Sequence, residues 1–253
     1  MKHLALLSLL ALLGACATHA PQQRQPFAER AAAPAERPGI GTGSGEWRAS
    51  PVQPANFARA WGDRPGGTAK LFYNDRAGVA AMLDFLGGEP RPASGLQKCA
   101  GGLVCLGLRD VAGHWLDTKE LRGHRIATGE TGARYEIVVA NESRRRIEVV
   151  LSVDGLDVMD GQPASFAKRG YVLAPRETVA IGGFRAGRDG VAAFRFVSVG
   201  DTYAQRRHRD TRNVGVLGLA VFGERWLGTP AIPRPENRAW QLGGARAGTP
   251  PDA

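Results

Sequence analysis

The sequence predicts a mainly β fold, an antiparallel β-sandwich or barrel-like single domain with a short helix near its start, and three observations carry that reading. Tyr135, Ile137 and Val139, then Ile147, Val149, Leu151 and Val153, recur with period two, the pattern of strands that turn one face to a core. Further short apolar runs at 170–173, 178–181, 191–197 and 214–222 are divided by turn formers such as Ala174-Pro175-Arg176 and Gly182-Gly183. Their close spacing favours antiparallel packing over alternating helix and strand units.

At the amino terminus, Lys2 precedes an apolar run from Leu4 to Leu13 that closes on Leu13-Gly14-Ala15-Cys16. A basic residue, an apolar stretch shorter than the ~20 residues that span a bilayer, and small residues before a cleavage point define a secretory signal peptide over residues 1–15. The small pair followed by cysteine resembles the lipobox of bacterial lipoproteins, which implies cleavage before Cys16 and lipidation of its thiol. One acyl chain binds a bilayer only marginally, so the several chains of a lipoprotein make the stable anchor. By the same analogy Ala17, standing where Asp would retain the protein, implies an outer-membrane lipoprotein that faces the periplasm.

Of three cysteines, Cys99 and Cys105 then remain, with Gly101-Gly102 between them. That spacing suits a tight loop closed by a disulfide in an oxidising compartment. It is not Cys-x-x-Cys, and no His or further Cys stands close enough to complete a metal site.

Residues 16–64 are rich in Ala, Pro, Gln, Arg and Gly, and read as a flexible tether that lifts the domain off the membrane. Gly41-Thr42-Gly43-Ser44-Gly45 lacks the Gly-Lys-Ser/Thr ending and the preceding strand of a phosphate loop. Trp47 and Trp61 are candidates either to pack on the domain or to meet a partner. The β-rich domain is expected over 65–226. It opens with a helix from Asp75 to Leu86, where Val79, Met82, Leu83 and Leu86 share a face and Gly87-Gly88 stops the turn. The runs ending at Asn141 and beginning at Ile147 form a hairpin candidate with one face buried and one wet. The run from Val214 to Phe222 is apolar on both faces, as a central strand is. From 227 to 253 recurrent Pro and Gly predict an irregular tail with Trp240 as its large anchor.

Several segments are more specific: Tyr135-Glu136-Ile137-Val138-Val139, the stretch from Glu148 to Val158, Gly170-Tyr171-Val172-Leu173, Gly183-Phe184-Arg185, Ala192-Ala193-Phe194-Arg195-Phe196 and Asn213-Val214-Gly215-Val216. Together they resemble a family of uncharacterised bacterial envelope proteins over Tyr135 to Phe222. That resemblance implies an envelope location and brings no catalytic residues with it.

The chain carries a formal charge of +9, or +8 once Lys2 is removed. Such a surplus favours anionic partners, which in an envelope are acidic proteins, phosphate-rich glycolipid, phospholipid heads or cell-wall carboxylates, whereas nucleic acid would need a route there. Two clusters are the binding candidates: Arg144, Arg145 and Arg146 in the proposed hairpin turn, and Arg206, Arg207 and Arg209 with Arg212 behind. Arginine grips phosphate bidentately through its planar fork. Asp154-Gly155, Asp157 and Asp160-Gly161 have a three-and-three spacing with no closing Glu, so they read as turn chemistry rather than a calcium loop. His114, His124 and His208 lack any nucleophile motif around them, and Ser152 and Ser165 have no Gly-x-Ser-x-Gly context. The sequence therefore predicts a non-enzymatic binding or assembly module without cofactor or metal. An enzyme acting on cell-wall polymer and an anchoring subunit of a secretion or appendage machine are the alternatives.

Overall fold

Long runs of buried side chains organise this protein into stacked sheets. A computed structural model describes residues 37–98, 100–225 and 239–242. In chain order the strands are β1 (Ile40–Ala49), β2 (Val52–Ala55), β3 (Gly67–Asn74), β4 (Arg91–Pro92), β5 (Gln97–Lys98), β6 (Val104–Asp110), β7 (Thr118–Leu121), β8 (His124–Thr128), β9 (Tyr135–Asn141), β10 (Ile147–Val153), β11 (Leu156–Asp157), β12 (Tyr171–Leu173), β13 (Thr178–Ile181), β14 (Gly183–Arg185), β15 (Gly190–Ser198), β16 (Val216–Gly223) and β17 (Ala239–Leu242). The helices are α1 (Arg76–Leu86) and α2 (Tyr203–His208).

The largest sheet runs β2-β17-β12-β10-β16-β3-β8-β7-β4, with β11 paired to β10. A second sheet runs β13-β9-β6-β5, and a third β1-β15-β14. Pairing is antiparallel except for β12 with β17 and β3 with β8. The fold is thus mainly β, as the periodicity predicts, and it is not a closed barrel. One core joins Leu71 and Tyr73 of β3, Ile137 of β9, Val149 of β10, Phe194 of β15 and Leu219 of β16. Each such large apolar side chain contributes about 1.5 to 3 kcal/mol by leaving water. A smaller cluster, including Ala55, Phe57, Val150 and Phe222, covers the other face of the large sheet.

Local signals place several elements where the sequence predicts them. Asp75 caps α1 by accepting from Gly78 N at 2.7 Å, and Gly87, at φ 65°, ends it. Asp154 and Gly155 take φ values of 55° and 82° in the two-residue turn between Val153 and Leu156, where left-handed backbone suits this pair. The apolar strand β16 lies between β10 and β3, inside the largest sheet.

The hairpin expected of β9 and β10 does not form. β9 pairs with β6 and β13, while β10 pairs with β11, β12 and β16. The two strands belong to different sheets and meet across the core, because period two defines which face is apolar and leaves the ladder partner open. Nor is the second face of β10 wet: Glu148 is 0% exposed.

The flexible tether expected over 16–64 is corrected for its described part. The glycine-rich piece lies within β1, which pairs with β15 from Ile40↔Ser198 to Ala49↔Gly190. Gly41 is needed there, since a Cβ would stand 2.4 Å from Thr202 Cγ2 and 2.5 Å from Val214 Cγ1. The body of the domain therefore begins by residue 40, not 65. Within the tail, 239–242 forms strand β17 against β2 and β12, not irregular chain. The signal peptide at 1–15, Cys16, residues 17–36, Cys99 and the rest of the tail lie outside the described residues.

Candidate functional site

Two polar constellations stand out, one buried and one at the surface. In the buried one, Thr42, Tyr73, Tyr135 and Asp154, from β1, β3, β9 and the β10–β11 turn, are each no more than 4% exposed. Asp154 accepts from Thr42 N at 2.7 Å, from Gly215 N at 2.9 Å and from the Tyr73 hydroxyl. Thr42 Oγ1 lies 2.6 Å from both tyrosine hydroxyls. Because Tyr73 gives its single proton to Asp154, Thr42 must donate to Tyr73 and Tyr135 to Thr42. Burial pushes the Asp154 carboxyl up to about 6 and raises both phenols. Tyr135 also stacks on Phe194 and Phe196, with ring centroids 5.3 and 4.3 Å away. This enclosed network draws β1 into the core, which explains why a segment that reads as linker is a strand.

The surface constellation is built on Asn141, which is 1% exposed at the end of β9. Its Nδ2 donates to the carbonyls of Arg145 and Ala174, each at 2.8 Å, and its Oδ1 accepts from Ser143 N at 3.0 Å and Ser143 Oγ at 2.7 Å. One side chain thereby ties the loop after β9 to the Ala174–Glu177 turn. Glu177 closes that turn by accepting from Ala174 N at 2.6 Å. Arg144, Arg145 and Arg176 are exposed on this paired rim. Arg176, at φ 63°, has no sequence signal linking it to Arg144, because more than 30 residues separate them. Arg146 is held elsewhere: it pairs with Glu224 at 2.7 Å and donates to the Asn56 carbonyl at 3.0 Å.

The second arginine cluster lies at the far end of the same strands. Arg144 to Arg146 adjoin the Ile147↔Gly223 pair, whereas Arg206 to Arg212 precede β16, whose other end meets β10 at Val153↔Leu217. About 20 Å of ladder separates them. Here acids answer the arginines. Arg206 meets Asp201 at 2.6 Å, and Arg212 meets Asp210 at 2.7 Å. Arg212 holds the Asp210 carboxyl down to about 2. Arg207 and Arg209 are exposed, with Arg209 at the left-handed C-cap of α2.

The other candidate residues stay apart. His114 Nδ1 is 3.1 Å from Asp110 Oδ2, His124 packs on Phe72 at 5.6 Å, and His208 Nε2 lies 2.9 Å from the Gly161 carbonyl. Asp157 is buried and Asp160 binds Lys168 at 2.6 Å. Among the described residues, no three metal-ligating side chains gather. Trp47 and Trp61 are 60% and 66% exposed. Neither a family model, nor a curated protein, nor a solved structure matches this chain.

Proposed function

We propose that this protein is an outer-membrane lipoprotein, anchored through acylated Cys16, whose β domain is a binding or assembly module for an acidic partner in the envelope. The lipobox-like Leu13-Gly14-Ala15-Cys16 and the resemblance over Tyr135 to Phe222 support the location. The observation that carries the binding role is the Asn141 staple, which holds Arg144, Arg145 and Arg176 on one pre-organised rim. Fixing the backbone of both loops in advance lowers the entropy that binding a phosphate or carboxylate partner would otherwise have to overcome.

The test is binding to vesicles containing anionic glycolipid and to the envelope proteins cross-linked to the lipidated protein in cells, with Cys16→Ala as the anchoring control. Each arginine near an anionic surface contributes about 1 kcal/mol. Removing three such contacts is therefore worth about 3 kcal/mol, so a triple Arg144→Glu, Arg145→Glu, Arg176→Glu variant should bind at least ~100-fold more weakly. The matching reversal of Arg206, Arg207 and Arg209, where Asp201 already pairs with Arg206, tests the second cluster by the same assay. Binding that survives the rim reversal, or that ignores salt, overturns the proposal.

A further inference from the structure

Helix α1 is apolar over most of its length, yet Val79 is its only buried residue and Phe85 is 90% exposed. Beside it runs a groove of about 620 Å³, walled by Gly78, Met82 and Phe85 on one side and by Pro38, Phe72 and His124 on the other. An exposed apolar surface of this kind marks a contact site.

The charges of α1 point to the occupant. Arg76 opens the helix and Asp84 stands in its last turn, and both are exposed. Each sits where its own helix dipole disfavours it, the base at the positive amino end and the acid at the negative carboxyl end. A second α1 packed antiparallel reverses that relation, because Arg76 of one copy then lies beside Asp84 and the carboxyl end of the other. A two-fold axis near residues 80 and 81 forms both ion pairs at once. Arg76, Ala80 and Asp84 make one row on the helix surface and Ala77, Ala81 and Phe85 the next, and all six are exposed. The same axis sets Phe85 of each copy opposite Ala77 of the other, where the groove lies open between Gly78 and Pro38. The small side chains between the ends let the two helices approach closely. This face therefore complements itself in both shape and charge, as a two-fold interface requires. A contact built on two helices of ~16 Å falls below the ~1,200 Å² of a stable interface, so the association is a weak one.

We propose that the groove along α1 is a contact between two copies of this protein, paired antiparallel with Phe85 of each seated in the groove of the other. A photocross-linker decides it: Phe85→p-benzoylphenylalanine in the full chain, with heavy- and light-isotope copies mixed from roughly 10 μM to 1 mM, the range of weak contacts. The expected product joins residue 85 of one copy to residues 77–81 of another, as heavy–light pairs whose yield rises with concentration. Charge exchange gives a second readout by analytical ultracentrifugation. Arg76→Asp alone, or Asp84→Arg alone, should self-associate at least ~5-fold more weakly, since two exposed ion pairs become repulsive at once. An equal mixture of those two variants should recover the original association, because each then meets its opposite charge. Cross-links within one molecule, cross-links between copies that avoid residues 77–81, or none at 1 mM overturn the proposal, as does a mixture that fails to recover while each variant stays folded.

Discussion

Replacing Glu148 by glutamine should destabilise the domain by about 3 kcal/mol, at the low end of the ~3 to 5 kcal/mol expected when one partner of a buried ion pair is removed. Glu148 Oε2 accepts from Arg59 Nε at 2.7 Å, and Oε1 accepts from Gly170 N at 2.7 Å and lies 3.1 Å from Arg169 Nε. One carboxylate therefore faces two guanidinium groups, with Asp63 3.8 Å from Arg59 as a further, partly exposed acid. Arg59 also stands 3.5 Å above the Phe222 ring and donates to the carbonyls of Phe166 and Lys168. These partners keep part of its hydration replaced after the charge is lost, and the Arg169 side chain is still 17% exposed. Both facts argue for the lower figure. Glutamine preserves the shape, so the lost charge dominates the effect. For a domain of this size 1 kcal/mol moves the melting point by about 2 to 4 °C, and a fall of roughly 6 to 12 °C follows. Urea unfolding followed by tryptophan fluorescence, with calorimetry alongside, measures it. A loss below about 1 kcal/mol would falsify the view that Glu148 is the main buried counter-charge to Arg59 and Arg169.

Stability should also respond to pH through Asp154. Its carboxyl holds a proton to about 6 in the folded protein and to about 3.8 at its ordinary value. Between those values the folded state binds more protons, so this group makes stability fall as pH rises, by about 3 kcal/mol in total. Asp154→Asn should remove that fall from the difference between pH 4 and pH 7, and an unchanged difference would contradict the assignment. For the cysteines, Cys105 is buried on β6 and the expected bridge to Cys99 predicts that neither thiol reacts with iodoacetamide in unfolding denaturant until reductant is added. Alkylation of both without reductant rules the bridge out.

The buried constellations show what local pattern conveys and what it leaves open. Asp154-Gly155 announces a tight turn because left-handed backbone is cheap for that pair, and the turn forms. The same residues do not announce that the turn places a carboxylate against β1, since Thr42, Tyr73 and Tyr135 come from three distant segments. Glu148 shows the opposite failure. A charge alternating with valines reads as a wet face, and only the arrival of Arg59 and Arg169 makes its burial tolerable.

The arginine sites divide in the same way. Arg144, Arg145 and Arg146 stand out in sequence as a run. Their division into an exposed pair and a Glu224-bound third residue depends on β16 ending beside that loop. Arg176 joins the rim because Asn141 bonds to the Ala174 carbonyl.

Periodicity, turn residues and helix caps depend on neighbours within a few positions, so the mainly β class, α1, the Asp154-Gly155 turn and the position of β16 were legible in the amino-acid order. Strand partners, the transfer of β9 and β10 to separate sheets and the recruitment of residues 40–49 came only with the tertiary structure. Those outcomes depend on burial energies and hydrogen bonds between segments far apart in sequence, which no local pattern contains.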